Sequence, residues 1–330
     1  MMKLSIVVPV YNVEKYVRKC ILSIINQDDD FFKDIELIIV NDGTKDRSVE
    51  QIQDIVDKYD NITLINQENL SLSVARNNGM ARAQGDYVWF VDSDDWISTD
   101  AVKVLMPLLD NINDIVPFGF TTVTEQGELP PSSIFFKEVR SFSGKETFRQ
   151  RCELATMAQK AVYRKEFLSN NGLNFMPGVY NQDDEFCLRA SYLADKVTLL
   201  PQSIYYFLRT SGEKHKSITN TVNPKLGFDF LTVSKSLLNF SIEYVKEKDI
   251  FKRFQFHISV LLNMGLGAIS KCDEADQQKF IDMFRELGGL NKCYFRAGGK
   301  YFIEGIIFSM FSNRMVKMFK RMKSVKFYGE

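Results

Sequence analysis

Histidine is nearly missing from this chain: 330 residues contain two, His215 and His257. A zinc site built on histidine and cysteine is therefore not expected. The five cysteines (Cys20, Cys152, Cys187, Cys272, Cys293) are odd in number, scattered and without CxxC spacing. That excludes a disulfide framework and reads as free thiols in a reducing cytoplasm. No stretch approaches twenty uncharged apolar residues, so no spanning helix is expected. The opening MMKLSIVVPVYNVEKY does not read as a leader peptide, because Asn12, Glu14 and Lys15 soon break its apolar run. Net charge is also missing: 42 Lys and Arg balance 42 Asp and Glu. The overall balance thus carries no footprint for nucleic acid. Internal repeats and low-complexity tracts are not seen.

What is present is 45% apolar and 25% charged, an ordinary soluble globular composition long enough for two domains. Residues 1–100 alternate strand and helix. Strands are expected over LSIVVPV (4–10), IELIIVND (35–42), NITLINQ (61–67) and DYVWFVD (86–92). Helices are expected over 14–27, 46–59 and 71–85. Short unalternating apolar strands between helices predict an α/β fold, a parallel sheet covered on both faces, with ligands beyond the carboxyl ends of its strands. Residues 101–220 are mixed, with a helix at 99–110, strand-like DIVPFGFTTV and a helix over DDEFCLRASYLA. From about 224 the pattern is all helical.

Polar groups gather at all four strand ends. Tyr11, Asn12 and Glu14 follow the first, Asn41, Asp42 and Gly43 the second, Asn66 and Gln67 the third, and Asp92, Asp94 and Asp95 the fourth. Carboxylates two residues apart just past a strand suit a hard cation, Mg²⁺ or Mn²⁺, which bridges to phosphate oxygens. They equally suit a turn or a helix start. Tyr11 fits core packing or stacking on a base. Arg76, on a helix near this edge, fits solvation or a phosphate or base contact. Asp183, Asp184 and Glu185 open a helix, where the dipole favours acid and where one carboxylate can act as a general base. Lys214, His215, Lys216 and Ser217 form a basic glycine-containing loop suited to clamping a pyrophosphate or simply to the surface.

SIVVPVYNVEKYV, ELIIVNDGTKDRS, NLSLSVARNNGMARAQGDYVWFVDSDDW and PGVYNQDDEFCLRA together resemble glycosyltransferase family 2, closely over residues 3–100 and more weakly to about 220. The resemblance implies a GT-A (Rossmann-like) fold and inverting transfer from a nucleotide sugar. The donor half would span 1–100, the acceptor half 101–222 and a helical C-terminal region 223–330. Tyr11 would stack on uracil, with Pro9, Val10 and Glu14 lining the base and ribose pocket and Asp42 binding the uracil N3–H. Arg76 would lie near the base or diphosphate, Asp92 would approach the ribose with Ser93 beside it, and Asp94 would ligate the metal with Asp92 and Asp95 as neighbours. The family's Glu-Asp pair before an aromatic is Gln182-Asp183 here, which makes Asp183 the base and leaves Asp184 as the alternative.

The last forty residues hold nine Lys or Arg against two Glu. Ile307, Phe311, Met315, Met318 and Met322 share one helical face, and Arg314, Lys317 and Arg321 another. That pattern suits an interfacial helix on anionic lipid or a last helix packed on its own domain. The reading is thus a UDP-sugar-dependent glycosyltransferase acting on a glycan or lipid-linked glycan. It is expected in the cytoplasm, on the inner face of the membrane if the tail binds lipid. A non-catalytic nucleotide-sugar-binding protein and a metal-dependent phosphohydrolase stay open, the latter weakened because NDGT and DSDD lie on different strands.

Overall fold

The structure, a computed structural model, describes residues 3–27, 34–124, 126–130, 137–152, 157–209, 222–301, 303–305, 316–317 and 319. Its strands are β1 (Leu4–Val10), β2 (Ile35–Asp42), β3 (Ile62–Gln67), β4 (Tyr87–Phe90), β5 (Trp96–Ile97), β6 (Ile115–Thr124), β7 (Gly127–Glu128), β8 (Arg140–Phe142), β9 (Ala161–Arg164) and β10 (Val197–Leu208). Its helices are α1 (Val17–Ile25), α2 (Gln53–Val56), α3 (Leu72–Arg82), α4 (Ala101–Leu105), α5 (Gly144–Gln150), α6 (Lys165–Asn170), α7 (Gln182–Leu193), α8 (Pro224–Tyr244), α9 (Lys248–Ile269), α10 (Glu274–Leu287) and α11 (Asn291–Ala297).

The chain divides into two compact units. One comprises Met1–Gly178 and Phe186–Gly212, the other Val179–Glu185 and Glu213–Glu330, so the division falls inside α7. The first unit is one mixed sheet in the order β3-β2-β1-β4-β9-β6-β10-β5. β1, β2, β3 and β4 are parallel, as expected, and so are β6 and β10. β9 runs antiparallel to both of its neighbours, β4 and β6, so the sheet is mainly but not wholly parallel. A buried apolar strand reads the same in either direction, so only the pairing reveals this.

Every residue of β1 is buried, because both faces are covered. Leu4, Ile6, Val8 and Val10 join Cys20, Ile21 and Ile24 of α1 and Val102 and Leu105 of α4 in one core layer. Val7 joins Ala75 of α3, Phe167 of α6 and Phe186 of α7 in the other. Each such side chain contributes about 1.5–3 kcal/mol. In the second layer Phe90 meets Phe175 edge-on at 4.9 Å, and Phe175 stacks on Phe186 at 4.1 Å. The second unit packs α8, α9 and α10 around Phe230, Leu237, Phe254, Ile258, Leu262 and Phe280. No described helix is long and apolar enough to cross a membrane.

The helix expected over 46–59 shrinks to α2. The carboxylate of Asp46 takes bonds from Thr44, Glu14 N and Ser48, and these side-chain bonds hold residues 44–48 as a loop. At the opposite sheet edge, buried Glu36 accepts bonds from Ser5 Oγ (2.6 Å) and from the backbone N–H groups of Gln84 and Gly85. A Cβ on Gly85 would stand 2.7 Å from Ser5 N. Gly85→Ala is therefore expected to move the urea unfolding midpoint down, by the equivalent of about 1–3 kcal/mol.

Candidate active site

The carboxyl ends of β1 and β2 are laced together by side chains. Asn12 N donates to Thr44 Oγ1 (2.8 Å), Val13 N to Ser48 Oγ (2.9 Å) and Glu14 N to Asp46 Oδ2 (3.0 Å). Lys45 N returns a bond to Asn12 Oδ1 (3.0 Å). Burial alone would raise the Asp46 carboxyl, but bonds from Ser48, Glu14 N and Thr44 hold it below the ordinary range. Asn12 adopts φ 52, a left-handed conformation uncommon without glycine. This lacing holds Tyr11 at the surface, 40% exposed. Val10 is wholly buried and Pro9 is buried beside it, at the end of β1 beneath this loop. Glu14 is half-buried.

Asp42, at the end of β2, is 4% exposed. Its Oδ1 accepts from Gln67 Nε2 (2.7 Å) and Leu70 N (2.8 Å), and its Oδ2 from Ser71 N (3.1 Å). A carboxylate has about four acceptor sites, so one remains for a ligand. These bonds hold Ser71 at φ 97, where non-glycine residues are rare, and start α3 immediately after. Gly43 (φ +67) cannot be replaced freely, since a Cβ there would meet Asn69 N at 2.8 Å.

The three aspartates after β4 have three different environments. Asp92 Oδ1 accepts from Arg76 Nη2 (2.7 Å) and Oδ2 from Gln159 Nε2 (2.9 Å). Arg76, expected to reach a base or phosphate, is instead wholly buried, with its guanidinium 5.1 Å from the Phe175 ring. Its Nη2 is held by Asp92. Asp95 is 1% exposed; its Oδ2 accepts from Tyr205 Oη (2.6 Å) and its Oδ1 from Leu208 N (2.8 Å). Burial, then Asp94 and Asp92, push the Asp95 carboxyl well above its usual range. Ser93 is buried between them. Asp94 alone is exposed and has no side-chain hydrogen bond or ion pair among the described residues. Although water touches it, dense surroundings and the Asp92 charge push its carboxyl up to about 6.

Asp94 therefore offers one uncommitted carboxylate in a negative setting, which a divalent cation would relieve. No group of three His, Cys, Asp or Glu among the described residues is placed to cage a metal. The donor set fits a cation that takes one protein carboxylate and completes its shell with phosphate oxygens and water.

The second acidic turn is held by α8. Tyr180 N donates to Asp229 Oδ2 (2.8 Å), Ser236 Oγ to Glu185 Oε1 (2.8 Å), and Lys225 pairs with Asp229 (2.5 Å). The buried Gln182 amide, oriented to donate, reaches the carbonyls of Val179 (3.1 Å) and Tyr180 (3.2 Å). A glutamate at that position would have no proton to give them. Asp184 is buried, and desolvation followed by the Asp183 charge pushes its carboxyl up to about 8. Asp183 is half-buried.

Several of these residues gave no signal in the sequence. Gln159, Tyr205, Asp229 and Ser236 sit in unremarkable strand, turn and helix text, far along the chain from what they hold. Lys214, His215 and Ser217 lie outside the described residues, as does most of the basic tail. Within the tail, Val316 and Phe319 are buried, and Lys317 pairs with Glu274 at 3.6 Å.

A mixed sheet whose parallel strands β1 to β4 lead into an Asp-Ser-Asp-Asp turn, with helices on both faces, is the architecture of a GT-A fold. The sequence matches the Glycosyl transferase family 2 model over residues 5–170, half of the chain. This chain belongs to that family. It is 33% identical over 218 residues to glycosyltransferase GlyA of Streptococcus pneumoniae, covering 64% of this chain and 31% of that protein. It is 33% identical over 209 residues to the uncharacterized glycosyltransferase EpsJ of Bacillus subtilis, covering 62% and 60%. The chain thus spans less than two thirds of the length of these relatives. The crystal structure of Staphylococcus aureus TarS 1–349 in complex with UDP-GlcNAc superposes with a TM-score of 0.73 at 19% identity, over 99% of this chain and 93% of that one. The likeness to TarS is one of fold.

Two outcomes follow from the charges. Asp92→Ala should destabilise the protein by about 1.5–3 kcal/mol, because it removes a charge-assisted hydrogen bond to the buried Arg76 guanidinium. Asp94→Ala should leave stability at neutral pH unchanged or raise it, because it removes a charge that burial and Asp92 disfavour in the folded state. Chemical denaturation of both separates them. Asp184 keeps its proton when folded and releases it near 3.8 when unfolded. Its contribution is whole below about pH 4 and is lost as the pH rises toward 8. Thermal melts from pH 5 to 8 should show Asp184→Asn losing less stability across that range than the wild type.

Proposed function

We propose that this chain is an inverting glycosyltransferase that moves a sugar from a nucleotide sugar, with UDP as the nucleotide, to a hydroxyl of a glycan or lipid-linked glycan. The observation that carries it is the exposed Asp94, left without an internal partner while Asp92 and Asp95 are both tied down. Support comes from structural neighbours: TarS, solved with UDP-GlcNAc and with UDP, and a mannosyltransferase of Pyrobaculum calidifontis solved with GDP-Man and Mn²⁺.

In this reading Tyr11 stacks on uracil and the remaining acceptor site of Asp42 takes the uracil N3–H, while Glu14 and the laced β1 and β2 loops hold the ribose end. Ser93 and Asp92 shape the turn beneath the ribose. A divalent cation, Mn²⁺ or Mg²⁺, on Asp94 would offset the charge that builds on the departing diphosphate. Asp183 takes the proton from the attacking hydroxyl. It is preferred to Asp184 because a carboxyl raised to about 8 holds its own proton at neutral pH. Attack opposite the leaving diphosphate inverts the anomeric centre, by the single-displacement logic of inverting glycosidases.

Calorimetric titration with UDP, with and without Mn²⁺, tests the donor site. Metal-dependent binding should be present in wild type and lost in Asp94→Ala; absence of UDP binding in wild type would overturn the reading. In a transfer assay Asp183→Asn should lose about 10²–10⁴-fold in rate with UDP affinity unchanged. A dead Asp184→Asn beside an active Asp183→Asn would move the base by one residue.

A further inference from the structure

One cation at the same sheet edge is unexplained by the site above. Lys160 closes the 3-10 turn Ala158–Lys160 and immediately precedes β9. Because β9 runs against β4, with Val162 opposite Trp89, Lys160 lies at the end of β4 from which Asp92–Asp95 emerge. It stands on the β6 side of that loop, away from β1, β2 and β3, whose loops hold the nucleoside end in the reading above. The turn is firmly placed. Gln159 donates to Asp92 Oδ2 (2.9 Å), and Trp89 Nε1 donates to Gln159 O (2.9 Å).

The half-buried Lys160 ammonium rests 4.0 Å from the centre of the Phe120 ring. Among the described residues it has no hydrogen-bond or ion-pair partner, and no carboxylate acts on its titration. Burial lowers its pKa to about 8, so it is still mostly charged at neutral pH. Such a charge is costly to hold over one aromatic face, which returns only about 0.5–2 kcal/mol. A half-buried ammonium at the Asp92–Asp95 end of β4, with no anionic partner among the described residues, has the properties of a site for an anion.

We propose that Lys160 binds a phosphate oxyanion of the reacting molecules. The oxyanion is either the outer phosphate of the donor or a phosphate carried by the acceptor near its attacking hydroxyl. The first source rests on the donor reading above; the second needs only the geometry of this edge.

Titration of wild type and Lys160→Met with UDP and with UMP, then of the UDP-saturated proteins with glycerol 3-phosphate and with glycerol, tests this. A loss of about tenfold or more in UDP affinity with UMP unchanged, the effect of one charge-assisted hydrogen bond, puts Lys160 on the donor's outer phosphate. Unchanged UDP and UMP, with binding of glycerol 3-phosphate but not glycerol abolished, puts it on an acceptor phosphate. Lys160→Arg should keep most of either contact. If UDP, UMP and glycerol 3-phosphate bind wild type and Lys160→Met alike, the inference is overturned. Wild type that binds no UDP overturns the donor reading itself, and glycerol 3-phosphate alone then decides for or against Lys160. The melting temperature of Lys160→Met should equal or exceed that of wild type. A fall of several degrees with unchanged ligand binding would make Lys160 a packing residue and overturn the inference.

Discussion

The pair formed by Arg76 and Asp92 is the constraint on which the rest of the donor edge depends. A guanidinium with no exposed surface needs a carboxylate, and Asp92 supplies one at 2.7 Å. Such a pair adds little net stability over an apolar packing of the same volume, yet breaking it leaves an uncompensated buried charge. Its value here is positional. It fixes the direction in which the chain leaves β4, and Gln159 on the other carboxylate oxygen fixes it a second time. From that point Ser93, Asp94 and Asp95 have little freedom, and Tyr205 closes the turn by donating to Asp95 and accepting from Asp92 N (3.2 Å).

The two acidic turns, one in each unit, share a physical scheme. In each, some carboxylates are sunk among hydrogen-bond donors or kept protonated, and one is left wet. After β4, Asp92 and Asp95 are committed and Asp94 is free to meet a ligand. At the start of α7, Glu185 is held by Ser236, Asp184 is neutralised by desolvation and Asp183 is half-buried. Clustered carboxylates thus need not repel at full strength, because the fold gives each a different charge or partner. The more exposed carboxylate in each turn is also the one whose role changes most with its surroundings. A cation would pull Asp94 back down from about 6, and the neutrality of Asp184 leaves Asp183 as the charged member of its pair.

Much of the first unit was legible in the text. The runs 4–10 and 35–42 are strands as read, and α3 and α7 depart from their expected limits by a residue or a few. Apolar runs bounded by turn residues are local signals, and local signals survive folding. The helix expected over 46–59 failed because its period was real but its first turn was spent elsewhere, on bonds from Asp46 and Ser48 to the β1 loop. The surroundings of Arg76 were not legible either. A single arginine on a helix looks the same whether its guanidinium faces water or a half-buried aspartate sixteen residues away.

The sequence by itself determined which residue types stand at the strand ends, that they are short-range neighbours of apolar strands, and that the sheet's first half is parallel. It also placed an acidic trio at the start of a helix. Only the tertiary structure decided which carboxylates are tied down, because the ties come from distant segments: Arg76, Gln159, Tyr205 and Leu208 for Asp92 and Asp95, Ser236 for Glu185. It alone decided the direction of β9, and with it the position of Lys160 beside the loop of aspartates. Charge, burial and hydrogen bonding are properties of neighbourhoods, and these neighbourhoods are assembled from residues that the linear chain keeps far apart.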